Sequence, residues 1–293
     1  MTSMNGKVVL ITGGARGVGA EVARRLHAKG ARLVLTDLDA EPLRALAEEL
    51  GGPDRALTVV ADVCDLPSME SAVAQGVEKF GGIDVVMANA GIASYGSVLA
   101  VDPATFRRVV DVNLVGVFHT VRAALPSIIE RRGYVLVVSS LAAYTASPGL
   151  AAYHASKAGA EYFANTLRLE VAHLGVDVGS AHMAWIDTPL VQDAKADLPA
   201  FTKMLAALPG PLGKTTSVQA CGSRFVAGIE KRSSRINVPG WVGALRWLRP
   251  LVQTPIAERD IRRLAPVLVP QMDAEVAGLG RSLSARTQAL EQE

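Results

Sequence analysis

The sequence contains little cysteine and almost no excess of charge of either sign. Its 293 residues include two cysteines, Cys64 and Cys221, which are too few for a disulfide framework, so we expect both to stay reduced. Lysine and arginine together number 30, against 28 aspartate and glutamate residues. The formal net charge of +2 lacks the basic excess that is typical of nucleic-acid binding, so we expect no nucleic-acid partner.

Long apolar runs are also missing. No 18 consecutive residues are apolar, and residues 1–14 (MTSMNGKVVLITGG) contain no apolar core followed by a cleavage site. We therefore expect a cytoplasmic protein that is neither secreted nor membrane-spanning. Hydrophobic residues make up 49% of the chain, which together with the small net charge excludes a disordered chain. The length permits either one large α/β domain or two domains.

Short apolar runs alternate along the chain with longer segments of helical pattern. The runs lie at residues 7–12, 32–36, 57–61, 84–88 and 134–139, with weaker ones at 176–181 and 235–238. Strands without polar alternation are buried on both faces, as in a parallel sheet covered by helices. The pattern therefore predicts an α/β fold, a Rossmann-like doubly wound parallel sheet of about seven strands. Ligands bind such sheets beyond the carboxyl ends of the strands.

A glycine-rich turn follows the first predicted strand. Residues 12–19 read TGGARGVG, which places Gly13, Gly17 and Gly19 in the spacing G-x-x-x-G-x-G before a helical segment. Glycine permits a tight turn and lets backbone N–H groups approach a pyrophosphate. Any turn can require glycine, but a glycine turn between a buried strand and a helix favours dinucleotide binding.

A tyrosine and a lysine, Tyr153 and Lys157, share one face of a predicted helix that begins shortly after Ser140. With the glycine turn, this arrangement resembles the single-domain branch of the short-chain dehydrogenase/reductase family, which carries TGxxxGxG and YxxxK. The resemblance spans residues 7–238. It implies an enzyme, an NAD(P)-dependent oxidoreductase that transfers a hydride between nicotinamide and a secondary alcohol or ketone without a metal.

The resemblance implies a catalytic tetrad of Asn113, Ser140, Tyr153 and Lys157. Tyr153 would be the acid and base. Because free tyrosine titrates near 10, we expect Lys157 to lower the pKa of Tyr153. Lys157 would also bind the nicotinamide ribose. Ser140 would orient the substrate oxygen, and Asn113 would hold a water in a proton relay. The residues by themselves leave open a tyrosine packed in the core and a solvated lysine.

The resemblance also implies a set of cofactor contacts. They are Gly13, Ala15, Arg16, Gly17, Val18, Gly19, Asp37, Asp62, Val63, Asn89, Ala90, Gly91, Tyr153, Lys157, Ile186 and Thr188. Asp37 ends the second predicted strand, where a carboxylate accepts hydrogen bonds from ribose hydroxyls and repels a 2′-phosphate, so we expect NAD. Arg16 leaves an NADP-preferring carbonyl reductase as an alternative, and a non-catalytic dinucleotide-binding sensor is another. Met183 and Ala184 stand where the family carries Pro-Gly, so this turn needs an ordinary backbone conformation or carries strain.

Residues 189–215 are predicted to form a substrate lid within a catalytic domain of residues 1–238. The lid is rich in alanine, leucine and proline and has few charges, which favours a lipophilic small-molecule substrate, such as a steroid-, retinoid- or fatty-acyl-like alcohol. Leu150, Trp185 and Met204 are predicted either to line the pocket or simply to pack. The resemblance also implies a homodimer or homotetramer.

Residues 239–293 are predicted to form a helical C-terminal extension. Trp241 and Trp247 lie between basic residues in this part of the chain. Residues 240–251 fit either packing on a subunit or over the site, or weak peripheral contact with a membrane. A polar helix from residue 271 to residue 291 is predicted to be a solvated tail.

Overall fold

The short apolar runs form the strands of one sheet. In the computed structural model, which describes residues 2–290, the strands are β1 (Val8–Thr12), β2 (Arg32–Asp37), β3 (Ala56–Val60), β4 (Val85–Ala88), β5 (Tyr134–Val138), β6 (Asp177–Met183) and β7 (Arg235–Val238). All neighbouring strands pair in parallel, in the order β3-β2-β1-β4-β5-β6-β7. The predicted doubly wound sheet is confirmed. Every residue of β1, β4 and β5 is buried, as runs without polar alternation require.

Helices cover both faces of this sheet. Their bounds are α1 (Gly17–Ala28), α2 (Ala40–Glu49), α3 (Leu66–Phe80), α4 (Pro103–Val110), α5 (Gly116–Glu130), α6 (Ala151–Val171), α7 (Pro189–Asp197), α8 (Pro199–Ala207), α9 (Val218–Glu230), α10 (Val242–Trp247), α11 (Arg249–Val252), α12 (Arg259–Leu279) and α13 (Ala285–Leu290). Helices α1, α2 and α9 contribute to the core on one face, and α3, α5 and α6 contribute to the core on the other. The strand order reverses between β1 and β4, which opens a crevice at the carboxyl ends of these strands.

One long helical stretch is apolar. Residues 103–130 run through α4, a π-helical turn at Asp111–Val115 and α5, and their most apolar window has a mean hydropathy of 1.4. By length and composition alone this stretch could cross a membrane. Half of that window is buried within the protein, and Val117, Val121 and Ile128 of α5 lie in the core beneath the sheet. Packing on the sheet therefore accounts for the apolar character of the helix.

The C-terminal extension packs against the lid. Helix α12 begins at Arg259, continues through two prolines and packs on α8, with Leu268, Met272 and Val276 buried. The prediction of a solvated tail from residue 271 is therefore wrong for the residues that the structure describes. Apolar residues four positions apart form a narrow stripe on this helix, which its polar average composition conceals. Met1 and residues 291–293, which belong to the predicted domain and extension, lie outside the described residues.

The segment with two tryptophans is half packed and half exposed. Val242 of α10 is buried beside Tyr144, with Trp241 packed against the same cluster. Trp247 and Leu251 face outward, with exposed fractions of 77% and 61%. The buried half packs on the Tyr144 cluster of its own chain. Packing on a subunit or over the site, and membrane contact through the exposed half, stay predictions.

We expect Met272→Ala in α12 to lower the free energy of unfolding by about 2–3 kcal/mol, because it removes a buried side chain and leaves a cavity between α12 and the rest of the protein. The measurement is equilibrium unfolding in urea. Val267→Ala is the matched control, since Val267 lies on the same helix but is 67% exposed, and its effect should stay within about 0.5 kcal/mol. Equal unfolding midpoints for the two variants would contradict the packing of α12.

Candidate active site

A cavity of about 340 Å³ opens at the carboxyl ends of the central strands. Most of the residues predicted as cofactor contacts or catalytic groups line this one cavity. They are Gly13, Arg16, Gly17, Val18, Asp37, Asp62, Val63, Asn89, Ala90, Gly91, Ser140, Tyr153, Lys157, Ile186 and Thr188. The fold therefore brings together residues that are widely separated along the chain, at the edge where the sheet topology predicts a ligand.

Three of the predicted residues lie behind the lining. The backbone N–H of Ala15 donates a hydrogen bond to Asp37 Oδ2 at 3.0 Å. Gly19 packs so closely on the backbone of Gly13 that a Cβ on Gly19 would collide with it. Asn113 is fully buried. These residues support the cavity wall and do not form its surface.

The glycine turn is shaped to admit a ligand next to its backbone. Gly13 and Gly17 have φ angles of +63° and +55°, which residues with a side chain rarely adopt. A Cβ on Gly13 would lie 2.9 Å from the Cα of Ala90. Helix α1 begins at Gly17, so its N-terminal N–H groups and the positive end of its dipole are at the cavity edge. This is a suitable site for a pyrophosphate.

The segment after β4 holds the glycine turn in place. Asn89 Nδ2 donates to the carbonyl oxygens of Thr12 and Gly13, each at 3.0 Å. In return, Thr12 Oγ1 accepts hydrogen bonds from the backbone N–H groups of Asn89 and Ala90, at 3.1 and 3.2 Å. The asparagine side chain therefore links the ends of two neighbouring strands.

Asp37 and Arg16 carry the charges at the end of the cavity where the sequence predicts the adenosine ribose. Burial raises the pKa of Asp37, and hydrogen bonds from the backbone of Ala15 and Asp39 oppose this shift. The Arg16 guanidinium forms an ion pair with the carboxylate of Asp39. Arg16 is therefore already held by one carboxylate, while the carboxylate of Asp37 lines the cavity.

Ser140 and Tyr153 lie together at the end of β5. Ser140 Oγ accepts a hydrogen bond from the backbone N–H of Ala142 at 3.1 Å and donates to the carbonyl oxygen of Met183 at 3.4 Å. Burial raises the pKa of Tyr153, and hydrogen bonding to Ser140 lowers it by a smaller amount. The Ser140 hydroxyl therefore lies next to the Tyr153 phenol. Two hydroxyls this close could both contact the same substrate oxygen.

Lys157 lies one helical turn below Tyr153 in α6 and is 3% exposed. Its ammonium donates to the carbonyl oxygen of Val138 at 3.1 Å and is 5.8 Å from the centroid of the Tyr153 ring. Burial lowers the pKa of Lys157 to about 8. We predicted a lowered pKa for Tyr153, but in this arrangement its pKa is raised, because desolvation of the phenolate dominates.

Asn113 lies in the π-helical turn between α4 and α5, a local irregularity that is frequent at functional sites. Its Oδ1 accepts from the backbone N–H of Ile92 at 2.8 Å, and its Nδ2 donates to Ile92 O at 2.9 Å and to Ser156 Oγ at 3.0 Å. The side-chain amide is therefore occupied.

The turn after β6 departs from the Pro-Gly pattern without strain. Of the described non-glycine residues, Arg132 and Arg232 have a positive φ, whereas Met183 and Ala184 do not. The turn therefore adopts an ordinary backbone conformation. Thr188 lies directly after it, with its methyl group near Gly17. Ile186 and Thr188 therefore reach the cavity although the Pro-Gly pair is absent.

The substrate side of the cavity contains residues that sequence reasoning missed. Leu150 and Trp185 line it as predicted, but Met204 is buried in α8 and is not part of the lining. The missed lining residues include Tyr95, Asp193, Ser284, Arg286, Thr287 and Leu290. No motif marks them. Tyr95 follows β4, Asp193 lies in the segment predicted as the lid, and the other four lie in the C-terminal extension and reach the cavity through its packing.

Both histidines near the cavity are structural. His154 Nδ1 is 2.9 Å from the carbonyl oxygen of Ala142, and its Nε2 accepts from the backbone N–H of Ser147. His182 is fully buried, stacks on Tyr144 with ring centroids 4.6 Å apart, and burial lowers its pKa to about 3. Both side chains hold loops around Ser140.

Comparison with known proteins adds relatives of known type. Trans-4-hydroxycyclohexanecarboxylate dehydrogenase of Sinomonas cyclohexanicum is 37% identical over 196 residues, which cover 64% of this chain and 76% of the relative. An uncharacterized NAD-dependent oxidoreductase of Mycobacterium tuberculosis is 35% identical over 207 residues, covering 65% of this chain and 75% of the relative. The crystal structure of levodione reductase is similar with a TM-score of 0.74 and 28% identity, and the alignment covers 82% of this chain and 98% of that one.

The family match covers the cofactor side of the cavity and its catalytic side alike. A family model described as short chain dehydrogenase matches residues 7–199, from β1 to the start of α8. This region contains the glycine turn, the π-helical turn and the Tyr153–Lys157 pair. Since more than half of the chain matches, and the sheet agrees with that of levodione reductase, this protein belongs to the short-chain dehydrogenase/reductase family of oxidoreductases.

Proposed function

We propose that this protein is an NAD-dependent dehydrogenase of cyclic secondary alcohols, or a reductase of the corresponding ketones. The observation that carries the proposal is the presence of Ser140, Tyr153 and Lys157 in the same cavity as a glycine turn and a ribose-binding carboxylate. A binding sensor without turnover would not need a buried lysine beneath a tyrosine. The geometry therefore supports catalysis over sensing.

The cavity fits a dinucleotide. The left-handed glycines Gly13 and Gly17 and the start of α1 would hold its pyrophosphate, and Asp37 would bind the adenosine ribose. Asp62 and Val63 after β3, and Ala90 and Gly91 after β4, would flank the adenine and ribose groups. When bound, the nicotinamide ring supplies or accepts the hydride. Lys157, Ile186 and Thr188 would hold the nicotinamide end, since all three line the cavity beyond β5 and β6.

The chain's own residues bind the substrate oxygen and move one proton. Ser140 Oγ and the Tyr153 hydroxyl would both hydrogen-bond that oxygen, which fixes the carbon that exchanges the hydride. In alcohol oxidation the Tyr153 phenolate takes the hydroxyl proton, and in ketone reduction the Tyr153 phenol donates it. The Lys157 ammonium, about 6 Å from the ring centroid, stabilises the phenolate, by roughly 3 kcal/mol at an effective dielectric of 20.

Asp37 supports NAD as the preferred cofactor. The 2′-phosphate of NADP would stand close to this carboxylate, and at about 4 Å each pair of unit charges costs roughly 4 kcal/mol at an effective dielectric of 20. Arg16 would have to give up its ion pair with Asp39 to offset this repulsion. The relative named as NAD-dependent agrees with this preference.

The walls of the substrate side support a cyclic, mainly apolar alcohol. Tyr95 and Trp185 both contact Phe201 edge-on, with ring centroids 5.5 and 5.3 Å apart. Leu150 and Leu190 add aliphatic surface. Such apolar walls suit a compact ring. The relative from Sinomonas cyclohexanicum is named for a substrate that contains one, trans-4-hydroxycyclohexanecarboxylate. Steroid- and retinoid-like alcohols are larger ring-containing candidates to test, and fatty-acyl-like alcohols are the acyclic alternative. A cytoplasmic location and a homodimer or homotetramer stay predictions.

We expect Tyr153→Phe to abolish turnover, a fall of at least about a hundredfold in kcat, because the Tyr153 phenol is the acid and base beside Ser140 and phenylalanine has no proton to transfer. The assay follows NADH absorbance with trans-4-hydroxycyclohexanecarboxylate and cyclohexanol, and NADH fluorescence measures cofactor Kd. Tyr162→Phe is the control, since Tyr162 lies on the same helix and is 64% exposed. Retained turnover in Tyr153→Phe would rule out this mechanism, and absent turnover in the wild type would favour a sensor.

We expect Asp37→Asn to lower the ratio of kcat/KM for NAD to that for NADP about tenfold or more, because it keeps an acceptor for the Ala15 N–H but removes the negative charge. The measurement is kinetics with both cofactors. Asp54→Asn removes a charge from a carboxylate with a 96% exposed side chain and should leave the ratio unchanged. An unchanged ratio in Asp37→Asn would show that another residue selects the cofactor.

We expect alcohol oxidation to accelerate as the pH rises from about 7 to about 10. Burial raises the pKa of Tyr153 and lowers that of Lys157 to about 8, so the reactive state of the pair, with a phenolate and an ammonium that share one proton, forms only as the pH rises through this range. Ketone reduction needs the phenol and should decline there. The measurement is kcat/KM in both directions across this range, with NAD binding followed over the same range as the control. Oxidation that is independent of pH would contradict Tyr153 as the base.

A further inference from the structure

The C-terminal extension enters the candidate substrate cavity. Ser284, Arg286, Thr287 and Leu290 line the same cavity as Tyr153. These residues come after the end of the family match at residue 199. The proposed dehydrogenase chemistry needs none of them, so their presence in the wall calls for a separate explanation.

Three anchors fix the start of this wall. The backbone N–H of Tyr95 donates to Ser282 O at 2.9 Å. Arg281 donates to Asp197 on the lid helix α7 at 2.7 Å and to Leu283 O at 2.6 Å. Leu283 is buried in a cluster with Val109 and Ala152. A backbone hydrogen bond holds the segment against the loop that follows β4 (residues 89–102, the β4 loop). An ion pair holds it against the lid, and an apolar contact holds it against helices α4 and α6.

Helix α12 reinforces this position from behind. Glu275 accepts the backbone N–H of Ala200 at 3.0 and 3.1 Å, which satisfies a donor at the N-terminus of α8. Asp273 accepts the backbone N–H of Ser97 at 2.7 Å. The extension is thus bonded to both the lid and the β4 loop, and the β4 loop carries Tyr95 of the cavity lining.

The wall presents hydrogen-bond donors to the cavity. Ser284 Oγ and Thr287 Oγ1 are 3.0 Å apart, and because one hydroxyl donates to the other, the second keeps its own proton to donate. Within residues 2–290, Arg286 contacts Asp193 at 3.5 Å through one of its nitrogens. A guanidinium has five N–H groups, so most of its donors are available to another acceptor.

We propose that the segment Arg281–Leu290 forms the specificity-determining wall of the substrate pocket, and that Arg286, with Ser284 and Thr287, binds an oxygen acceptor on a cyclic alcohol away from its reacting hydroxyl. This inference rests on the proposed function for the identity of the reacting group. The acceptor is a carbonyl or a carboxylate, since both chemistries suit guanidinium and hydroxyl donors. The nearby pairs Arg281–Asp197 and Arg286–Asp193 balance in charge, so a neutral acceptor fits as well as an anion.

The test compares three alcohols with the same ring: cyclohexanol, trans-4-hydroxycyclohexanecarboxylate and its carboxamide. In Arg286→Gln we expect KM for the carboxylate and the carboxamide to rise roughly tenfold, the loss of one charge-assisted hydrogen bond, with kcat unchanged. KM for cyclohexanol and Kd for NAD should stay within about twofold. Thr287→Val should show a smaller effect with the same selectivity. A rise for the carboxylate alone identifies an anion site.

Arg263→Gln is the matched control, because Arg263 is an exposed arginine of the same extension outside the cavity lining. It should change none of these constants. Equal KM changes for all three alcohols in Arg286→Gln, or no change at all, would overturn the proposal. A melting temperature of Arg286→Gln equal to that of the wild type without ligand shows that the variant folds.

A binding measurement separates this proposal from the proposed function. With NAD present, 4-oxocyclohexanecarboxylate cannot be reduced, and we expect it to raise the melting temperature of the wild type and of Arg263→Gln, and to raise that of Arg286→Gln clearly less at the same ketone concentration. If the wild type shows this stabilisation but oxidises no alcohol, the proposed function fails and the acceptor site stands. If cyclohexanol is oxidised but the ketone acid stabilises all three proteins equally, the acceptor site fails and the function stands.

Discussion

The pairing of β1 with β4 is the constraint on which the cofactor side of the cavity depends. At this pair the strand order reverses, and the register joins Val9 to Val85 and Ile11 to Met87. Asp84 accepts the backbone N–H of Val8 at 3.0 Å at the start of the pair, and Asn89 binds the glycine turn at its end. The two strands are therefore locked at both ends, so the segments that follow them reach the crevice in one fixed relation.

Burial acts in the same direction on the titratable groups in this crevice. It raises the pKa of Asp37 and of Tyr153 and lowers that of Lys157, and in each case it favours the neutral form. A few hydrogen bonds oppose it: one from the backbone N–H of Ala15 to Asp37, and one between the hydroxyls of Ser140 and Tyr153. The charge state of Asp37 and Tyr153 therefore depends on a small number of hydrogen bonds, so a change in the geometry of any one of them would change the pKa of its group.

The two sides of the cavity are built in different ways. The cofactor side comes from turns that directly follow the strands, so a fixed sheet determines them. The substrate side comes from the β4 loop, the lid and the extension, which meet at Tyr95, Phe201, Asp197 and Arg281. Because these contacts lie outside the sheet, the sheet does not determine the shape of the substrate walls.

The sequence by itself indicated the parallel sheet and the glycine turn, because buried strands have unbroken apolar runs and a tight turn needs glycine. The family resemblance, and not local sequence physics, pointed to Ser140, Tyr153 and Lys157. The sequence could not show that Met204 turns away from the cavity, that α12 packs on the lid, or that Arg286 enters the site. Residues 271–290 read as a polar helix since their buried stripe, Met272 and Val276, is narrow and its partners lie in α8 and near Gly149. Only the tertiary structure decided these features. The hydrophobic effect is non-directional, so the sequence of one segment does not specify which distant segment it packs on.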